Sequence, residues 1–366
     1  MDYSAESQEL DREILDIINA WHQHGAELKQ GEFNDLALRL FDYQLRYNAP
    51  YARYCEHLGV TRDAFPASWE AIPAVPAPAF KEATLATFDV RDAALTFETS
   101  GTTDGRPGRH HLETPALYDA ALLGGFDRFM LADRAALRYF NCVPNPREVP
   151  HSSLGYMMKR VAEERGDGKT GWYLRDGELL FERLKSDLQD LVAAHQPVCL
   201  AATAFALVHV LDAMEGEELR VLLPPGSRIM ETGGFKGRSR MVSRDALYER
   251  TYDRFGVNPE AIVAEYGMTE LASQYYDRAP AGAMLAQRRK IAPPWLRARV
   301  VGPDRRTLAK GEIGSILHVD LANRSSCIAI QTEDLGVQYD DGLVLIGRDV
   351  DVEPRGCSLE AEDLRA

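Results

Sequence analysis

The sequence has no long apolar run. Nothing in it approaches the roughly 18–20 residues that span a bilayer, so no membrane-crossing helix is expected. The opening residues, MDYSAESQELDREIL, are acidic and lack the basic and apolar stretches of a secretory leader. Cysteine is scarce and scattered: Cys55, Cys142, Cys199, Cys327 and Cys357, with no CxxC pair. That argues against a disulfide framework and a zinc site and for a reducing, cytoplasmic setting. Positive charge is in deficit, with 42 Lys and Arg against 56 Asp and Glu and a net charge of −14. Such a balance argues against a nucleic-acid groove. An anionic substrate would need a locally positive cleft. Repeats and low-complexity linkers are lacking as well.

What is present is an ordinary globular composition, 366 residues at 45% hydrophobic, enough for roughly two or three packed units. The first sixty residues carry helical periodicity, with Leu10, Ile14, Ile17, Ile18 and Trp21, then Leu38, Phe41 and Leu45, on apolar stripes. In IPAVPAPAF, Pro73, Pro76 and Pro78 force an extended path toward Phe80 and Lys81. Helix and strand signals then alternate: a helix over 118–131, a strand over 137–143, an amphipathic helix over 181–195, and the apolar strand PVCLAATAF. After about Pro293 the pattern changes to short β-branched strands, ARVV, GSILHVD, CIAIQTEDLG and GLVLIGR. The expectation is an α/β body over 1–292, a β-rich subdomain of the same core over 293–347, and a short tail over 348–366.

The stretch FETSGTTDGRPGRHH (97–111) sets glycines and hydroxyls between a strand end and a group of cations. Glycines let backbone amides crowd an anion, and hydroxyls add donors, so phosphate is one reading. A hydrophilic turn is the other. AEYGMTEL ends a strand in Tyr-Gly, followed by Thr269 and Glu270. There a hydroxyl can meet phosphate and a carboxylate can hold Mg²⁺, or the pair can cap a helix. Asp334 in IQTEDLG either accepts ribose hydroxyls or closes a strand. Arg348 in LIGRDVD either reaches ribose and phosphate oxygens or lies exposed at a turn.

Order and spacing favour the first reading in each case. TSGTT, YGMTE, T-x-D and G-R-x-x-D together resemble the motif series of acyl-adenylate-forming enzymes. PYARYCEHLG, IPAVPAPAFKE, HSSLGYMM, ATAFALVH, ETGGFKGRSR and GRDVDVEPRGCSLEAEDL narrow the resemblance to the acyl-protein synthetase (LuxE-type) family of bacterial luminescence operons. It runs from about Tyr51 to the C-terminus. Phenylacetate-CoA ligases are a more distant likeness.

This resemblance implies the large N-terminal domain of the adenylate-forming fold, α/β with layered sheets, helices and a β-rich subdomain, without the C-terminal lid that most relatives carry. It also implies site roles. Ser100, Gly101, Thr102 and Thr103 would wrap the β- and γ-phosphates of ATP. Gly233 and Gly234 would lie against adenine and Tyr266 would stack on it. Thr269 would touch the α-phosphate, Glu270 would ligate Mg²⁺, and Asp334 with Arg348 would hold the ribose. The superfamily loop commonly ends in Pro-Lys, whereas this one reads Asp-Gly-Arg-Pro-Gly-Arg (104–109). Arg106, Arg109 or Lys236 is then expected to supply the charge, although guanidinium and ammonium differ in geometry.

In that family an acyl group passes to a cysteine near the C-terminus, which here is Cys357. A thiolate is the best nucleophile among ordinary side chains, and Arg355 and Gly356 favour thiolate and mobility. From Arg348 to Cys357 an extended chain spans at most about 30 Å. The other four cysteines sit in apolar or helical contexts and read as packing residues. His110, His111 and His151 read as solvated or core histidines, because a carboxylate nucleophile is already ionised near neutral pH. Ser152 and Ser153 either line an acyl pocket or cap a helix.

The expected reaction converts ATP and a carboxylic acid, taken as a fatty acid, to acyl-AMP and pyrophosphate, with acyl transfer to Cys357 following. An acyl reductase or acyl-carrier partner is implied by resemblance. One rival is a lidless ligase that passes the acyl group to CoA, a carrier protein or an amine. A rival of another class is a non-catalytic nucleotide-binding subunit of an acyl reductase complex.

Overall fold

The computed structural model describes residues 3–99, 106–133, 136–233, 242–278 and 288–348. The chain divides into two compact units. Unit 1 comprises Met1–Gly124, Met268–Gln274 and Ala292–Ala366; unit 2 comprises Gly125–Gly267 and Tyr275–Ile291.

Unit 1 opens with the helices Tyr3–His24, Gln30–Tyr47 and Ala49–His57. Leu10, Ile14, Ile18 and Trp21 fall on one face of the first helix and are all buried, the stripe expected of a helix laid on a core. Trp21 meets Trp295 edge-on at 5.2 Å. The Asn48 side chain accepts from Tyr51 N and starts the third helix, with proline in its first turn. The β-rich part is an antiparallel run in the order Leu296–Val301, Ile313–Asp320, Ala329–Tyr339 and Gly342–Arg348. A Cβ on Gly314 would meet the Val301 carbonyl at 2.4 Å, so this close approach needs glycine. The prolines of IPAVPAPAFKE do impose an extended course, as Val75–Pro76 pairs parallel to Ile330 and Gln331. The segment then winds into the helical turn Ala79–Glu82. Leu95–Glu98 and Arg109–Leu112 form an antiparallel pair flanking the Gly-rich loop.

Buried Arg324 ties the helices of unit 1 to its loops. Its guanidinium holds Asp11 at 2.7 and 2.9 Å and also pairs with Glu113. A guanidinium 1% exposed has to be matched by carboxylates, because leaving it unpaired would cost several kcal/mol.

Unit 2 is built on parallel strands, in the order Ile262–Tyr266, Arg228–Thr232, Val198–Thr203, Arg138–Cys142 and Gly171–Trp172. Tyr275–Arg278 and Arg289–Ile291 extend the sheet antiparallel beyond Ile262–Tyr266. Val198–Thr203 reads BBBBBi in burial, as a parallel strand covered on both faces should. Leu184, Leu188, Leu207, Leu211, Leu247 and Phe255 from the flanking helices join Leu200 and Ile229 in one core.

Candidate active site

Aligned parallel strands leave their C-terminal ends side by side, and in open α/β sheets ligands bind beyond those ends. In unit 2, Thr203 pairs with Thr232, and Thr232 with Glu265. Gly233 and Tyr266 are therefore the next residues out on neighbouring strands. Gly233 is exposed with φ +75°, a conformation costly for any side chain that carries a Cβ. Tyr266 is buried, its ring 5.7 Å from that of Tyr275. Beneath these ends Thr232 Oγ1 donates to Glu265, and Lys290 Nζ donates to Ala264 O at 2.6 Å. The Asp277 carboxylate accepts from Ala264 N at 2.6 Å and faces Arg288 at 3.4 Å. Burial pushes the Glu231 carboxyl up and the Lys290 ammonium down. Glu231, Asp277 and Lys290 are carried by the strands themselves.

The Met268–Gln274 segment, in unit 1, carries Thr269 and Glu270. No helix follows them: Thr269 and Glu270 form a turn, so the helix-cap reading of this motif fails. Three side chains remote from it in sequence, those of His110, Asp320 and Asn323, grip the backbone of this segment. His110 Nδ1 donates to Thr269 O at 2.8 Å, and Asn323 Nδ2 donates to Glu270 O at 2.9 Å. Asp320 accepts from Ala272 N at 3.0 Å, from Ser273 Oγ at 2.8 Å and from Ala322 N at 3.0 Å. Trp295 Nε1 completes the set, donating to Ser273 Oγ at 2.9 Å. Burial holds the His110 ring down to about 4, so it is neutral at pH 7. Burial also pushes the Asp320 carboxyl up to about 6, against the pull of its hydrogen-bond donors. The Glu270 side chain is buried and that of Thr269 half-buried.

Also in unit 1, Asp334 is half-buried and lies opposite Arg348 in the antiparallel register. Its amide donates to Thr332 Oγ1 at 2.8 Å. At the neck of the Gly-rich loop, Thr99 N donates to Gly108 O and Gly108 N to Thr99 Oγ1, each at 2.9 Å. Arg106 is exposed. Arg109 pairs with Glu98 at 3.0 Å on the surface, where such a pair contributes about 0–1 kcal/mol. Ser100, Gly101, Thr102, Thr103, Gly234, Lys236, Cys357 and the Arg348 side chain lie outside the described residues.

The other four cysteines and Ser152 resolve as packing and capping groups. Cys55, Cys142, Cys199 and Cys327 are free and buried. Burial pushes the Cys142 and Cys199 thiols up to about 12, and it raises those of Cys55 and Cys327 as well. Ser152 caps a helix, accepting from Gly155 N at 3.0 Å. His151 is exposed, and His111 is half-buried against Thr96 Oγ1 at 3.0 Å. Sequence reasoning missed Asp320 and Asn323 and gave His110 no role in the site. The only local trace is the polar DLAN turn that closes an apolar strand, which looks like any strand end.

The sequence profile described as acyl-protein synthetase, LuxE, matches residues 175–362. The long-chain-fatty-acid–luciferin-component ligase of Aliivibrio fischeri is 22% identical over 317 residues, covering 84% of this chain and 80% of that protein. Among solved structures, 2-hydroxyisobutyryl-CoA ligase in complex with 2-HIB-AMP and CoA aligns at a TM-score of 0.65 and 16% identity, over 89% of this chain and 70% of that one. McyG A-PCP complexed with phenylalanyl-adenylate aligns at 0.52 and 19% identity, over 72% of this chain. This chain spans only 42% of the McyG structure. Both likenesses establish the adenylate-forming fold. With the profile match covering half its length, the chain belongs to the LuxE acyl-protein synthetase family, ligases that activate an acyl group with ATP.

Proposed function

We propose that the protein adenylates a long-chain fatty acid and then carries the acyl group as a thioester on Cys357. The observation that carries the reading is the gripped Thr269–Glu270 turn. Its backbone carbonyls are both bonded inward, to His110 and Asn323, in a family whose members activate acyl groups. A fatty acid is favoured because the Aliivibrio fischeri relative is named for one.

In the first step a carboxylate oxygen attacks the α-phosphorus of ATP and pyrophosphate leaves. Thr269 donates to the α-phosphate. Ser100, Gly101, Thr102 and Thr103 cradle the outer phosphates, with Arg106, Arg109 or Lys236 as cations. Gly233, Gly234 and Tyr266 take adenine, and Asp334 and Arg348 take the ribose. No group of three acidic, histidine or cysteine side chains able to hold a metal alone occurs among the described residues. Mg²⁺ ordinarily needs only one or two carboxylates alongside substrate phosphates and water. Glu270 provides one such carboxylate, so the donor set fits; bound Mg²⁺ would neutralise phosphate charge.

In the second step the Cys357 thiolate attacks the acyl carbonyl and AMP leaves. The four described cysteines are poor candidates, being buried with raised thiol pKa values. An acyl reductase is the partner the family reading suggests, and an acyl carrier is the alternative. The test separates the two steps. Cys357→Ser should keep pyrophosphate exchange near the wild-type rate and lose the hydroxylamine-labile label left by radioactive acid plus ATP. A serine variant that labels like wild type would place the acyl group elsewhere.

A further inference from the structure

The segment IPAVPAPAFKE (72–82) belongs to none of the motifs given a role above, yet within unit 1 it adjoins three of them. Its extended half pairs at Ile330 and Gln331 with the strand that carries Asp334, and Ala77 N donates to Gln331 O at 2.9 Å. Tyrosine hydroxyls fix its near end, Tyr51 donating to Pro73 O at 2.6 Å and Tyr54 to Ala74 O at 2.9 Å. In the turn that follows, Phe80 is buried with its ring edge-on to His110 at 5.9 Å. His110 in turn holds the Thr269 carbonyl.

Lys81 comes next and is half-buried. It lies beside the neck of the Gly-rich loop, where a Cβ on Gly108 would sit 3.4 Å from Lys81 Cγ and 3.3 Å from both Phe80 Cβ and Thr99 Cγ2. A Cβ at 108 would thus be tight against Phe80 and Thr99 and in ordinary contact with the lysine stem. A strand pairing, a buried aromatic and a closed loop neck fix the root of one lysine among the Asp334 strand, the Thr269 turn and the Thr99–Gly108 neck.

The chemistry needs a cation there. Negative charge grows on the departing pyrophosphate, and the chain as a whole carries −14. The loop ends without a lysine. We propose that Lys81 binds the β- and γ-phosphates of ATP and stabilises pyrophosphate as it leaves, an assignment that rests on the adenylation reading above. The bond from the carboxylate oxygen to the α-phosphorus forms as the bond from that phosphorus to the bridging oxygen breaks. The electron pair departs on pyrophosphate. Lys81 keeps its proton throughout and contributes charge and hydrogen bonds.

The test is pyrophosphate exchange at varied ATP, with AMP affinity measured in parallel, on wild type, Lys81→Met and Lys81→Arg. Methionine keeps the stem beside Gly108 and removes the charge. The expected result is a loss of about 10²-fold in kcat/KM for ATP in Lys81→Met, the scale for losing one charge-stabilising donor. AMP, which lacks the outer phosphates, should bind all three proteins alike, and arginine should recover most of the loss. Exchange by Lys81→Met at the wild-type rate would overturn the proposal alone, as would AMP affinity falling in step with ATP. A wild type that exchanges with no acid would overturn the adenylation reading and this assignment together. A second measurement uses only the unaltered protein: ATP, but not AMP, should slow acetylation of Lys81 by a soluble anhydride, read by mass spectrometry. Equal acetylation with and without ATP would also overturn it.

Discussion

In the proposed adenylation, Glu270 is the residue on which the first half-reaction would turn most directly. Its carboxylate is buried on a turn whose backbone is bonded inward, so its position is set before any ligand arrives. Glu270→Ala should lower pyrophosphate exchange by about 10²–10³-fold while thermal unfolding stays close to wild type. Equal activity would reduce Glu270 to a structural carboxylate. His110 shows what a single residue conceals in a sequence. Beside the Gly-rich loop it reads as a core or solvated histidine. Its partner, the Thr269 carbonyl, lies 159 positions away, and no local pattern encodes that distance.

At the scale of elements, Ile313–Asp320 serves as both a strand and a clamp. Its strand character was legible, because the short β-branched runs after Pro293 say strand. The same holds for the amphipathic Phe181–Ala193 helix, whose buried Leu184, Leu188 and Leu191 repeat at helical spacing. What the strand holds at its end was not legible, since Asp320 bonds a segment 48 positions earlier. Asp320 yields a pH prediction. Its folded pKa of about 6 is above the ordinary aspartate value of 3.8. The folded state therefore binds its proton more tightly. The stability that proton brings is full below about 4 and is lost as pH rises through 6. Asp320→Asn cannot titrate. Unfolding free energies measured from pH 4 to 7 should show the wild type losing on the variant by a few kcal/mol across that window, at 1.36 kcal/mol per pKa unit. A gap independent of pH would mean that Asp320 is not the titrating group. Asn pays a constant cost for lost acceptors, which the pH dependence does not include.

For the whole molecule, the order of motifs along the chain said more than any motif alone. TSGTT, YGMTE, TED and GRDVD are each weak, yet their succession pointed to the adenylate-forming fold. A TM-score of 0.65 to a 2-hydroxyisobutyryl-CoA ligase bears that out. Unit 1 takes up Met268–Gln274 from between two stretches of unit 2. That short segment is held by hydrogen bonds to Asp320 and Asn323, contacts between distant parts of the chain. The central claim is that this molecule makes acyl-AMP. It is tested most directly by exchange of labelled pyrophosphate into ATP on the full chain with Mg²⁺, across fatty acids of increasing length. The account predicts exchange that depends on the acid, peaks among long chains and vanishes without Mg²⁺. Exchange with no acid of any length would contradict it.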